Sequence, residues 1–283
     1  MTTITITIVM TTATTATTTS SPHLPSVETS AVQRPESRAR ARGGERHAEA
    51  VSYTHRQTYT VRVAAVIFDM DGVIIDTERP VQACCQAVAG SMGFDLDDEF
   101  YVSQLVGRGW ADCDLALTSR FGPAFSLEEF RRRFQARWTE HLGAHGIDVK
   151  PGFPQLVGFL RAHRIPIAVA TSTHAADAAD SLRAAGITER FDAFVTGDQV
   201  TRGKPDPEIY VTAAARLGVV PQSCLALEDS SPGVLAASRA GMTTLLIPDN
   251  GRVPTLEAST AAFRVLESLH DARQLLADWL RAD

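Results

Sequence analysis

The chain has 283 residues, enough for one large domain or for a core domain carrying a smaller inserted one. A hydrophobic content of 44% is that of an ordinary globular protein, and a net charge of -6 with no sustained basic face argues against a nucleic-acid partner. No apolar run approaches the roughly 20 residues of a membrane span, so the expectation is a cytoplasmic protein without a membrane partner, a monomer or weak dimer.

Residues 1–61 differ in composition from the rest of the chain. MTTITITIVMTTATTATTTSS is threonine-rich and of low complexity, and PESRARARGGERHAEA offers almost nothing to bury, so this segment is expected to be a disordered extension. A transit peptide is the alternative, but the segment lacks a clean amphipathic helix or signal core. From Val61 onward short apolar strands alternate with helices. The strands expected are Val63 to Phe68, Ile165 to Ala170, Ala193 to Thr196, Cys224 to Leu227 and Thr244 to Ile247, apolar enough to be buried on both faces. Between them FPQLVGFLRAH, HAADAADSLRAAG and PEIYVTAAARLG read as helices. The alternation predicts an α/β fold with a doubly wound parallel sheet, built from residues 62–79 and 150–283, whose ligands bind beyond the carboxyl ends of the strands. Residues 80–149 break the rhythm with helices alone, among them SLEEFRRRFQARWTEHLGAHG with a capping-box pattern at Ser126 and Glu129. Seventy residues exceed a simple crossover, so this stretch is expected to be an inserted helical cap over the site.

Four cysteines, Cys84, Cys85, Cys113 and Cys224, form neither a disulfide framework nor a zinc motif and are expected as packed thiols. The chain takes its positive charge from arginine and contains two lysines, Lys150 and Lys204, which makes each worth attention.

The chemistry begins where the strand VIF runs into DMDGVIID. Asp69 and Asp71, two apart at a strand end, can face one pocket, and two carboxylates so close need a cation between them. Oxygen ligands of this kind suit magnesium. A turn closed by Gly72 would explain either aspartate alone but not the pair. Thr171 and Ser172 follow the strand IPIAVA with hydroxyls and backbone N–H groups that phosphate oxygens require, although a helix cap is the commoner use of such a residue. In GKPDPE, residues 203–208, Asp206 and Pro207 read as a helix start, whereas Lys204 has no such structural use. LALEDSSPG ends an apolar strand in Glu228 and Asp229, acids too costly to bury without a partner.

DMDGVIIDT resembles the DxDx(T/V) signature of the haloacid dehalogenase-like phosphohydrolases, in the subgroup of beta-phosphoglucomutases and sugar phosphatases, and the other three motifs follow in that family's order over residues 62 to 250. The resemblance implies an aspartyl-phosphate mechanism with Asp69 as nucleophile and Asp71 as acid and base. It implies Thr171, the backbone beside it at Ser172, and Lys204 at the phosphate. Magnesium would be held by Asp69, the backbone carbonyl of Asp71 and Asp229, with Glu228 a ligand or just behind one. The loop VGRGWADCD resembles the cap loop that meets the substrate, which assigns Gly107 and Gly109 to close approach and Arg108 to an anion or hydroxyls. The expected substrate is a small phosphorylated metabolite, foremost a sugar phosphate.

Relatives in the same fold narrow the chemistry. Dehalogenases lack an aspartate at the position of Asp71, and phosphonatases need a cap lysine, yet none lies between Gly72 and Val149. The mutases carry a histidine where Val81 stands and a cap lysine near Val106, so hydrolysis is expected over isomerisation. A phosphate-binding protein without turnover is the alternative from another class; loss of either aspartate or of Lys204 would have favoured it.

Overall fold

The computed structural model describes residues 4–16, 51–187, 191–249 and 253–281. Two compact units are present: Met1–Ile6 with Val61–Asp283, and Thr7–Thr60.

Ile4–Ala16 (β1) and Val51–Val63 (β2) pair as a two-stranded sheet, where the sequence led us to expect an unstructured extension. Low apolar content argued for disorder, but ITITIV and VSYTHRQTYTVRV are rich in β-branched and aromatic residues, which favour extended backbone whether or not they find a core. The part of the expected extension that covers residues 17–50 lies outside the described residues.

The larger unit is built as the alternation predicts. Ala65–Phe68 (β3) is followed by four helices in succession, Glu78–Ser91 (α1), Asp98–Gln104 (α2), Trp110–Phe121 (α3) and Leu127–His145 (α4). Then come Phe153–Ala162 (α5), Ile167–Ala170 (β4), Ala175–Ala184 (α6), Ala193–Val195 (β5), Glu208–Arg216 (α7), Cys224–Glu228 (β6), Ser231–Arg239 (α8) and Thr243–Leu246 (β7). Leu256–Ala261 (α9), Arg264–Val265 (β8) and Leu269–Arg281 (α10) complete it. The last three were not foreseen. β8 is two exposed residues, too short for any pattern, but α10 buries Leu269, Ala272, Leu276 and Trp279 at helical spacing, a signal that was present in the sequence.

Six strands form one parallel sheet in the order β5-β4-β3-β6-β7-β8. β3, β4 and β6 are buried throughout, because helices cover both faces of a parallel sheet, and this is why their sequences run apolar without alternation. β3 sits between β4 and β6 with Phe68 level with Val169 on one side and Leu227 on the other. The residues just beyond these three strands therefore emerge side by side at one edge of the sheet.

The helical insertion leaves and rejoins the core through paired backbone. Ile75 bridges Val149, the N–H of Asp76 donates to Asp148 O (2.9 Å), and that of Lys150 donates to Ile74 O (2.9 Å). Lys150 also pairs through its amine with buried Asp249, beyond β7. Among the described residues no helix is long and apolar enough to cross a membrane.

Candidate active site

Asp69 follows β3 directly, and its backbone N–H donates to Leu227 O (2.9 Å), which ties the end of β3 to β6. Its carboxylate is buried and accepts from the Lys204 ammonium. Lys204, 2% exposed, also donates to Glu228 Oε1 (2.6 Å) and lies 5.2 Å from the centre of the Tyr210 ring. Burial alone drives the Asp69 carboxyl well above the usual carboxylate range; Lys204 opposes this, and Glu228 and Asp71 add to it. Burial works against the Lys204 ammonium too, but the carboxylates of Asp69 and Glu228 outweigh it and hold the proton on.

Glu228 ends β6 fully buried, and hydrogen bonds surround it. Oε1 accepts from Lys204 and from the Tyr210 hydroxyl (2.6 Å); Oε2 accepts from the N–H groups of Asp229 (3.1 Å) and Ser230 (3.2 Å) and from the Ser230 hydroxyl (3.1 Å). A Cβ on Gly233 would stand 1.9 Å from Oε1, so only glycine lets α8 start against this carboxylate. Expected as a metal ligand or just behind one, Glu228 is arranged as the group that holds Lys204. Sequence reasoning missed Tyr210, whose hydroxyl is buried and pushed up first by desolvation and then by Glu228; a tyrosine one turn into the helix after GKPDPE was the available signal.

Asp71 faces the other way. Its carboxylate accepts from three threonine hydroxyls: Thr77 on Oδ1 (2.7 Å), and Thr171 (3.2 Å) and Thr173 (2.8 Å) on Oδ2. The two aspartates thus line one chamber but hold different partners, one an ammonium and the other hydroxyls. Thr171, expected at the phosphate, donates its hydroxyl to Asp71 Oδ2 beside the chamber. Thr171 is fully buried; its hydroxyl closes a turn by accepting from the Thr173 N–H (3.0 Å), and Ser172 and Thr173 line the chamber. The buried Ser172 hydroxyl has no hydrogen-bond partner among the described residues. Thr77 and Thr173 were not singled out, although Thr77 closes DMDGVIIDT and Thr173 follows Ser172 directly.

Asp229 is 5% exposed and reaches within 2.3 Å of where a Cβ on Gly72 would be. Gly72, at φ 84°, therefore serves both the turn and this close approach. Carboxylate oxygens of Asp69, Glu228 and Asp229 all lie within 4.8 Å of one another. Three buried carboxyl groups share one ammonium, and a cluster of oxygen donors so short of positive charge fits a hard divalent cation such as magnesium. The Asp71 carboxylate stands outside this cluster.

The cap loop behaves unevenly. Gly107, at φ 70°, lies so close to Ser230 that a Cβ there would come within 2.7 Å of its Cβ, so the loop closes onto the start of α8. Arg108 lines the chamber and donates to Ser103 O (3.4 Å). Gly109 caps α3 in an extended conformation, and a Cβ there would meet no protein atom within 4 Å. Trp110 packs edge-on to Phe134 (5.6 Å between ring centres) and also lines the chamber, as do Val81 and Val106.

The fold and this constellation define an α/β enzyme in which buried Asp69 follows β3, a strand flanked on both sides in the sheet. A family model described as haloacid dehalogenase-like hydrolase matches residues 66–247. A phosphorylated carbohydrates phosphatase of Thermotoga maritima is 34% identical over 75% of this chain and 89% of its own. A probable pseudouridine-5'-phosphatase of Drosophila melanogaster is 34% identical over 74% and 91%. The crystal structure of CbbY from Rhodobacter sphaeroides in complex with phosphate superposes with a TM-score of 0.64 at 29% identity, over 74% of this chain and 96% of that one. The chain belongs to the haloacid dehalogenase-like hydrolases, and phosphatase activity is what its relatives and its site together support.

Proposed function

We propose that this protein is a magnesium-dependent hydrolase of a small phosphorylated metabolite that works through an aspartyl-phosphate on Asp69. The observation that carries the reading is the division of labour between the two aspartates. Asp69 is fixed by Lys204 with its carboxylate toward the chamber, suited to attack on phosphorus, while Asp71 sits among hydroxyls at the chamber wall, suited to pass a proton to the departing alcohol and then take one from water. Glu228 and Tyr210 hold Lys204 in register; Lys204 offsets charge on the nucleophile and the phosphoryl group. The Ser172 hydroxyl is offered to phosphoryl oxygens, and closure of the Gly107 loop on Ser230 limits water. Asp69 and Asp229 would hold magnesium, which supplies charge screening and orientation of the phosphoryl group.

Phosphorylated sugars are the first substrates to test, since the Thermotoga relative is named for phosphorylated carbohydrates. Hydrolysis is favoured over isomerisation because Val81 and Val106 line the chamber at the positions where the mutases carry a histidine and a lysine, and neither valine can hold a second phosphate. We place the protein in the cytoplasm as a monomer or weak dimer. The test follows phosphate release with and without chelator, beside an Asp69→Asn control; turnover that survives either change would refute the mechanism. Incubation with beta-glucose 1-phosphate and glucose 1,6-bisphosphate then separates the activities, since glucose 6-phosphate appearing faster than free phosphate would identify a mutase.

A further inference from the structure

The chamber beyond Asp69 and Asp71 has a volume of about 160 Å³. That is the scale of the ~150 Å³ apolar cavity that accepts benzene, so the substrate body it encloses is limited to about one compact ring. Its core side is polar, with Ser172, Thr173 and Lys204 beside the aspartates. Its cap side is not. Trp110, Leu117, Phe130, Phe134 and Trp138 form most of the wall there, together with the thiols of Cys85 and Cys113.

This wall is built by spacing. Phe130, Phe134 and Trp138 recur every fourth residue along α4, so they share one face of the helix, and neighbouring rings lie parallel at 6.5 and 6.4 Å. Trp110, the first residue of α3, meets Phe134 edge-on. Arg108, Tyr101 and Glu78 are the polar exceptions on the cap side, Asp177 and Ser181 of α6 line the chamber as well, and Arg108 already donates to Ser103 O.

Resting on the phosphatase reading above, we infer that the leaving alcohol carries a flat aromatic or compact apolar body, seated against Trp110 and Phe134, and is not a bare polyol. Each hydroxyl of a bare sugar would leave water for a wall of carbon and sulfur, which offers poor hydrogen-bond partners. A ring gains there by leaving water and by the edge-to-face and stacked arrangements that the wall already shows. Among sugar phosphates the inference selects those that bear such a ring next to the phosphorylated arm.

The test measures kcat/KM with magnesium on the full chain for benzyl phosphate, fructose 1-phosphate and glucose 6-phosphate. All three release a primary alcohol, so differences report on the leaving-group wall more than on leaving-group basicity. Benzyl phosphate should be favoured over both sugars by about tenfold or more, the scale of discrimination an apolar pocket reaches. Trp110→Ala should cut that ratio by roughly fivefold. Because the variant could fail to fold, a second measurement uses the unaltered protein: benzyl alcohol should inhibit competitively and sorbitol should not. Sugar esters turned over as well as benzyl phosphate, or equal inhibition by both alcohols, would overturn the inference and leave the phosphatase reading standing. Release of phosphate from none of these substrates, nor from p-nitrophenyl phosphate, would overturn the reading itself.

Discussion

Lys204 shows how a single residue links stability to chemistry. Its ammonium is buried between Asp69 and Glu228, so Lys204→Met removes a cation and leaves two acids without it. Breaking a buried ion pair from one side costs about 3–5 kcal/mol. The expected outcome is a loss of that order in urea unfolding together with loss of phosphate release; an unaltered midpoint would show that the pair is weakly held. The thiols carry a pH signature. Burial raises Cys224 to about 12 and Cys113 to about 12, from 9.0. Cys85, also buried, shifts in the same direction. The folded state therefore keeps these protons while the unfolded chain releases them, which lowers stability as pH rises through that interval and keeps thiolate scarce at neutral pH. Alkylation by iodoacetamide at pH 8 should be slow natively, by about an order of magnitude or more relative to urea-unfolded chain. Equal rates would contradict the packing described.

The motifs that announced themselves were those whose residue type has no cheap structural use. A lysine in a chain that prefers arginine, and paired acids at strand ends, were legible because burying them uncompensated is too costly to occur by chance. The partners of Thr171 were not legible, because a hydroxyl at a strand end can bond its own backbone as readily as a side chain across the site, and here it does both, accepting from the Thr173 N–H and donating to Asp71. Tyr210 was passed over for another reason: it matters only because the fold brings its hydroxyl to Glu228, eighteen residues away in the chain.

At the scale of elements, α4 carries the leaving-group wall and begins with half of the expected capping box. The Ser126 hydroxyl accepts from the Glu129 N–H (3.3 Å), but the Glu129 side chain pairs with Arg132 and Arg133 instead of reaching back. Those pairs hold the exposed Glu129 carboxyl down, to about 2, through hydrogen bonds from Arg132 and then Arg133. Ser126→Ala should therefore destabilise by roughly 0.5–2 kcal/mol, the usual range for a lost N-cap, measured by denaturant unfolding. A larger loss would mean that the first turn of α4 supports more of the helical insertion than its own cap.

For the whole molecule, removal of residues 1–60 should leave melting temperature and phosphate release nearly unchanged. β1 and β2 form a two-stranded sheet, and such a pair is marginal by itself, whereas the sheet bearing the site lies within residues 61–283. A fall in melting temperature of many degrees on truncation would show that the strand pair supports the core. What the sequence by itself determined here is local and periodic: the five long-run apolar strands, the helices between them, the interruption by α1 to α4, and the ionisable residues at the strand ends. Backbone period and burial cost act over a few residues, so they leave a readable trace. Only the tertiary structure decided that Glu228 clasps Lys204, that Asp71 rests among three threonines, that Gly107 closes onto Ser230, and that the cap presents rings to the chamber. Those facts depend on which side chains meet across long separations in the chain, and that is fixed by packing of the sheet and the insertion together.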